Sequence, residues 1–214
     1  MNYLAIDTCG QAIEILLYRD GKTIYRRDEQ GRRASECLLT MIDQTLEEEN
    51  LTLGEIDYFA CVTGPGSFTG IRIGLNTIKS FAYVNKKPVL AVNSLERLAY
   101  NNTDKSVESI VSVSYAYADF CYVAVYSPDG TVLLEPKCML IADAQKLVSL
   151  VDEPSVVFAD EKMSEIFSAS KTDNVLSLTR VIEKMIAKNE GVSYAVAEPF
   201  YLVKSQAERE LENK

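Results

Sequence analysis

An α/β protein that uses one pattern twice is what this sequence predicts. Two observations carry the prediction. Three short apolar segments separated by turn signals open the chain, and alternating helical and strand-like segments follow them; from about residue 110 a similar order starts again. The length, 214 residues with 47% hydrophobic and 25% charged side chains, suits one large folded domain or two small ones.

Residues 3–6 are a short apolar run that ends in Asp7-Thr8. Residues 13–18 and 23–28 follow, separated by the turn pair Asp20-Gly21, and the three together read as antiparallel strands. Residues 35–49 have helical spacing, with Ser35 placed to cap the start and three glutamates, Glu47 to Glu49, at the end that the helix dipole disfavours for acids. Residues 56–63 read as a buried strand broken by Gly64-Pro65-Gly66. A helix over 69–85, a buried strand over 88–92 and a short helix from Ser94 to Tyr100 complete the first half.

The polar stretch 101–105 marks a boundary, giving an N-terminal lobe over 1–101 and a smaller C-terminal lobe with its tail over 102–214. In the second lobe, strands are expected over 110–114, 120–127 and 132–138, with Pro128-Asp129-Gly130 as the turn between the last two. A helix over 142–151, a strand over 156–159 and a helix over 179–189 follow. Three antiparallel strands followed by alternating helices and strands, given twice, describe two ribonuclease H-like lobes, the architecture of the actin, hexokinase and Hsp70 (ASKHA) superfamily.

Composition removes several function classes. The formal net charge is −9, and an acidic chain is repelled by phosphate backbones, so direct strong tRNA or other RNA binding is not expected. Arg26-Arg27 and Arg32-Arg33 are small basic groups that read as a solvated turn. Histidine is absent, which removes Ser-His and Cys-His catalytic sets and imidazole metal ligands. The five cysteines are widely spaced without a Cys-x-x-Cys pair, so a metal site is not expected and small core residues in a reducing compartment are. No segment approaches the roughly 20 apolar residues of a membrane span, and the start has neither a basic region nor a cleavage-like site, so a cytoplasmic location without membrane association is expected.

The segment Gly64-Pro-Gly-Ser-Phe-Thr-Gly-Ile-Arg-Ile-Gly74 stands apart. Its first glycines permit backbone angles closed to other residues, Ser67 and Thr69 can cap the helix that follows, and free amides at that helix start could hold an anion. It lacks the Gly-Lys-Ser/Thr of a Walker loop. Two readings stand: a tight strand-to-helix turn, or a phosphate loop. Asp7 has the same two readings, a strand-end acid or a group that helps hold ATP. In the helix after the loop, Ile71, Leu75, Ile78, Phe81 and Ala82 share one face, while Gly70, Ile73, Thr77 and Ser80 form a small-residue stripe that would let another helix approach. In the helix over 35–49, Cys37, Leu38, Leu39, Met41, Ile42 and Leu46 spread over roughly 200°, more than the roughly 100° one core needs. Either that helix is sandwiched within the chain or one flank faces a partner.

Those residues carry a resemblance. Segment 64–74 resembles the signature of the TsaB (YeaZ) family; Leu4-Ala-Ile-Asp-Thr8, Ser35-Glu-Cys-Leu-Leu39, Pro88-Val-Leu-Ala-Val-Asn-Ser-Leu-Glu96, Glu198-Pro-Phe-Tyr-Leu202 and Gln206-Ala-Glu-Arg209 are similar to other motifs of that family. The sequence departs from the family pattern at Ala34, where a His is usual, and at Val203, where an Arg is usual. It departs also at Tyr115-Ala-Tyr117 and Phe120-Cys-Tyr122, which replace Asp-Ala-Arg and Glu-Val-Tyr.

The resemblance implies a non-catalytic scaffold that pairs with TsaD, joined by the ATPase TsaE, in threonylcarbamoylation of adenosine 37 of the tRNA anticodon loop (t6A formation). A homodimer is a further implied state. The first two helices would make the contact, through Leu38, Met41, Ile42 and Thr45 and through Gly70, Ile73, Gly74 and Thr77. No resident cofactor is implied, although ATP or ADP could sit at the joint with the partner on Asp7, Thr8, Gly64, Gly66, Ser67 and Thr69. The alternative is an ATP-using small-molecule kinase or ATPase of the same superfamily. A peptidase is a third reading, without a triad, dyad or zinc site to support it.

Overall fold

The computed structural model describes residues 1–28, 30–151 and 155–204; the motif Gln206-Ala-Glu-Arg209 lies outside them. The chain divides into two compact units, one of residues 1–93 with 178–200, the other of residues 94–177 with the chain from Tyr201. The division expected at 101/102 therefore falls eight residues earlier, and segment 178–200 returns to the first unit. Apolar spacing along a single stretch does not reveal such a return, because the core it joins was laid down some ninety residues before.

In the first unit, β1 (Asn2–Asp7), β2 (Ile13–Arg19) and β3 (Lys22–Asp28) form an antiparallel meander. β4 (Tyr58–Gly64) then pairs parallel to β1, and β5 (Val89–Asn93) parallel to β4, giving the order β3-β2-β1-β4-β5. Asp20 and Gly21, both at positive φ, make the β2–β3 turn expected from the Asp-Gly pair. Central strand β1 is buried from Tyr3 to Asp7. Such a strand carries an unbroken apolar run because helices or further chain cover both its faces.

Helix α1 (Ala34–Glu48) starts one residue before Ser35, which is exposed inside its first turn and does not cap it; the N-cap position belongs to Arg33 and has no side-chain hydrogen bond. Helix α2 (Phe68–Asn85) is capped by Ser67, whose Oγ accepts the Gly70 N–H, and ends at Lys86 in the left-handed region. Ile71, Leu75, Ile78 and Ala82 of α2 are buried, and Leu75, Ile78 and Ala82 pack with Leu4, Ile6, Phe59 and Cys61 of the sheet. Leu38, Met41, Ile42 and Leu46 of α1 belong to the same core, as does Ala197 of the returning segment.

In the second unit, α3 (Ser94–Ala99) precedes a sheet of order β8-β7-β6-β9, built from β6 (Ser109–Tyr117), β7 (Phe120–Tyr126), β8 (Val132–Leu140) and β9 (Ser155–Ala159). β6 is antiparallel to β7 and parallel to β9, so β6, β7, β8 and β9 repeat the pairing of β1, β2, β3 and β4. Helix α4 (Ile141–Leu150) occupies the place of α1 in the chain order. After β9, where the first unit has α2, residues 161–168 form only turns. Asp160 organises them: its carboxylate accepts the Tyr115 N–H at 2.6 Å and the Met163 N–H at 3.0 Å. Helix α5 (Asn174–Ala187) begins in this unit and continues into the first, where Leu178, Val181 and Ile182 are buried.

Candidate functional site

The end of β1 and the start of α2 meet at the carboxyl ends of the parallel strands β1 and β4. In α/β sheets this is the usual place for a ligand, which makes the partners of each group there decisive. Asp7 Oδ1 accepts the Cys9 N–H at 2.7 Å and so closes the turn out of β1. Thr8 Oγ1 donates to Gly70 O at 2.7 Å, the Ser67 N–H donates to Cys9 O at 2.9 Å, and the Cys9 thiol donates to Val62 O at 2.9 Å. Five of the six residues expected in a phosphate loop, Asp7, Thr8, Gly64, Gly66 and Ser67, are therefore gathered at one strand end. Several of their polar groups bond to one another or to backbone beside them. Thr69 is exposed on the first turn of α2.

The glycines of this segment answer to close approach. A Cβ on Gly70 would stand 1.8 Å from Thr8 O, and one on Gly74 would stand 2.3 Å from Thr8 Oγ1. Such distances cannot be relieved by a small shift, so helix α2 lies on the end of β1 only because these two positions lack a side chain. Gly64, at φ 115°, faces the returning segment: its absent Cβ would meet Phe200 O at 2.6 Å. The Phe200 N–H donates to Thr63 O at 2.8 Å, and Lys79 Nζ donates to Ala197 O at 2.9 Å. Segment 191–200 thus runs beside α2 from Val89, where Val192 exchanges backbone bonds with it at 2.8 and 2.9 Å, to Gly64. Sequence reasoning missed this strap and the part played by Cys9; the available signal was the Glu198-Pro-Phe-Tyr motif, whose structural use cannot be read without its distant partner.

The expected partner surface changes most. Leu38, Met41, Ile42, Thr45, Gly70 and Gly74 are buried inside the first unit itself. Thr45 Oγ1 donates to Met41 O at 2.6 Å, and Gly70 and Gly74 face β1 rather than a second helix. Ile73 and Thr77 are half-buried, and Thr77 Oγ1 donates to Ile73 O at 2.9 Å. The wide apolar arc of α1 is explained by sandwiching: one flank lies on β2 and the other beside α2. What α1 and α2 leave outside is another set, Leu39, Thr40 and Asp43 on the first and Thr69, Arg72, Asn76 and Ser80 on the second.

Among the described residues, no group of three or more His, Cys, Asp or Glu could hold a metal ion, and no helix is long and apolar enough to cross a membrane. Burial pushes the Cys61 thiol well above its usual range, with the nearby Asp7 carboxylate adding to the effect. A thiol so placed is a packing group rather than a nucleophile.

The family model for tRNA N6-adenosine threonylcarbamoyltransferase, TsaD, matches residues 28–210. The tRNA threonylcarbamoyladenosine biosynthesis protein TsaB of Haemophilus influenzae is 36% identical over 100 residues, 46% of this chain and 42% of that protein. TsaB of Escherichia coli is 32% identical over 99 residues, 46% of this chain and 43% of that protein. The chain thus spans less than half the length of these curated relatives. Among solved structures, YeaZ from Pseudomonas aeruginosa superposes with a TM-score of 0.74 at 23% identity, over 94% of this chain and 99% of that one. A second Pseudomonas aeruginosa structure, described as similar to peptidase YeaZ, gives a TM-score of 0.79 at 24% identity over the same shares. At these identities the superpositions establish the two-unit ribonuclease H-like fold. The chain belongs to the TsaD family of tRNA N6-adenosine threonylcarbamoyltransferase, and within it to the TsaB/YeaZ proteins.

Proposed function

We propose that this chain is a non-catalytic subunit that pairs with a TsaD homologue, with TsaE as a further member, and supports threonylcarbamoylation of adenosine 37 of tRNA. One observation carries the non-catalytic half of the reading: Thr8, Ser67, Gly70 and Cys9, which would have to face a nucleotide, bond to one another and knit β1 to α2. The same bonds weigh against a kinase or ATPase, because a phosphate would have to displace them. The partner half rests on the family membership and on a revised surface. Leu39 is 62% exposed on α1, and it stands with Asn76 and Ser80 of α2 among the groups these two helices leave outside. An exposed leucine on a helix flank is an ordinary feature of a docking face.

The test is size-exclusion chromatography with light scattering on this protein mixed with the TsaD homologue of the same genome. The wild type should elute as a heterodimer, and Leu39→Glu with Asn76→Arg should elute as separate chains while keeping its circular dichroism spectrum. If the wild-type chains do not associate at micromolar concentration, and loss of this protein leaves tRNA threonylcarbamoyladenosine at normal levels, the reading is wrong.

A further inference from the structure

Charge is distributed unevenly over the first unit. Segments 79–89 and 184–196 hold five lysines and one acid, Glu190, in a chain with 22 basic and 31 acidic residues. The fold brings these segments to one corner. Val89 and Val192 exchange backbone hydrogen bonds, and a Cβ on Gly191 would stand 2.9 Å from Pro88 Cβ, so the chain leaving α2 lies against the chain leaving α5. Three of the lysines have partners or are partly covered: Lys79 Nζ bonds to Ala197 O, Lys87 Nζ is 3.6 Å from Asp57, and Lys184 is half-buried. Lys86 and Lys188 are exposed.

Beside them stands an exposed aromatic surface. The rings of Tyr83 and Tyr194 meet edge to face with centroids 5.0 Å apart, Tyr83 is 62% exposed, and Val84 next to it is 73% exposed. An edge-to-face pair leaves ring faces open, and an aromatic face flanked by cations is the usual means of holding a nucleic-acid strand: the base stacks and the phosphates pair. Lysines at two helix ends also complement the helix dipoles, but the dipole needs neither the exposed tyrosine nor the valine beside it.

We propose that this corner is an RNA contact, with Lys86 and Lys188 on phosphates and Tyr83, braced by Tyr194, under a base. The inference rests on the proposed role in tRNA modification and adds to it a direct contact with the substrate. It also limits the expectation drawn from net charge. A surplus of acids makes binding weak, not absent, because the lysine-rich corner keeps the acids other than Glu190 and the paired Asp57 out of its own segments.

The test is fluorescence anisotropy of the full chain with a labelled, unmodified tRNA transcript at several salt concentrations. The wild type should bind with a dissociation constant near ~10⁻⁴ M at physiological salt. Lys86→Gln with Lys188→Gln should weaken binding about fivefold or more and lower the salt dependence by about 2, at ~0.9 per lost phosphate contact. Tyr83→Ala should weaken it about fivefold or more with the salt dependence unchanged. Lys105→Gln with Lys171→Gln, the same change of charge at exposed positions of the second unit, should leave binding as it was. Equal loss in both lysine pairs, or wild-type binding in the corner variants, overturns the contact. Heterodimer formation is scored separately by light scattering. A corner variant that still pairs with TsaD but binds tRNA less well supports the proposal. A corner variant that loses TsaD and keeps its tRNA affinity makes the corner a protein contact and overturns it. A wild type that never pairs with TsaD overturns the scaffold reading whatever the RNA result.

Discussion

Thr8 and Gly70 touch backbone to backbone: Thr8 Oγ1 donates to Gly70 O at 2.7 Å, and a Cβ on Gly70 would stand 1.8 Å from Thr8 O. The contact fixes the angle at which α2 leaves the sheet, and through it the outward face of the helix. Alanine normally stabilises a helix relative to glycine by roughly 0.5–1 kcal/mol. Here the sign reverses. Gly70→Ala should cost about 3 kcal/mol or more, because backbone lies on both sides of the clash and neither can yield. Gly10→Ala, where a Cβ meets nothing within 4 Å, should stay within about 0.5 kcal/mol. Urea denaturation midpoints of the two variants check both; a Gly70→Ala protein as stable as wild type would mean that α2 is seated differently.

Leu38 and Leu39 are neighbours with opposite duties. Leu38 is 1% exposed in the core and Leu39 is 62% exposed. Leu38→Ala should lower stability by about 2–5 kcal/mol, whereas Leu39→Ala should change it by less than about 0.5 kcal/mol. The same denaturation series measures both. Equal effects at the two positions would show α1 turned about its axis, and the docking face would then have to be assigned again.

The Asp129 carboxyl should titrate at about 2, far below the usual carboxylate value. The Ser127 hydroxyl holds its charged form first, and the Thr131 N–H, at 2.9 Å, adds to this. Because the folded value is depressed, the turn gains from this carboxylate at every pH above the ordinary aspartate value of 3.8 and loses that gain as the pH falls through about 2. Carboxyl carbon chemical shifts followed by NMR give the value directly. Ser127→Ala should move it back toward the ordinary value, and a titration near 3.8 in the wild type would show that the bonds are not made in solution.

Strand and helix order was legible from the sequence because period and turn signals are local. The Asp20-Gly21 turn, the strand end at Asp7 and the apolar face of α2 through Ile71, Leu75 and Ile78 all lie where the pattern put them. The site was half legible. Ser67 does cap α2, but Thr69 takes no part in the cluster around Thr8, and Gly70 and Gly74 serve β1 rather than a partner helix. The reason is common to all the corrections: a stripe of small residues says that something comes close, and only the three-dimensional chain says what. Helix α1 gave the same difficulty, since a wide apolar arc is equally the mark of a helix sandwiched in its own domain. The return of segment 178–200 to the first unit was invisible because its contacts are with Gly64, Lys79 and Val89, each about a hundred residues away.

Cysteine reactivity reports on the packing of β1, β4 and α2 without any substitution. The Cys61 thiol packs beneath α2, where a Cβ on Gly74 would stand 3.3 Å from it, and both it and the Cys9 thiol lie within hydrogen-bond reach of Val62 O, at 3.3 and 2.9 Å. Burial pushes the Cys61 thiol well up and the Cys121 thiol to about 11. Only the thiolate reacts, so at pH 8 roughly one Cys121 in a thousand is in reactive form, even before access is considered. Cys138 is half-buried and should be the first labelled by iodoacetamide under native conditions. Cys61 and Cys121 should be labelled only as fast as the unit around each of them opens, so their rates should rise with urea in step with unfolding. Labelling of Cys61 as fast as Cys138 in buffer would mean that α2 lifts from β1 in the native protein. The bonds among Thr8, Ser67, Gly70 and Cys9 would then be breakable at little cost, and the loop would be open to the phosphate that its closed form excludes.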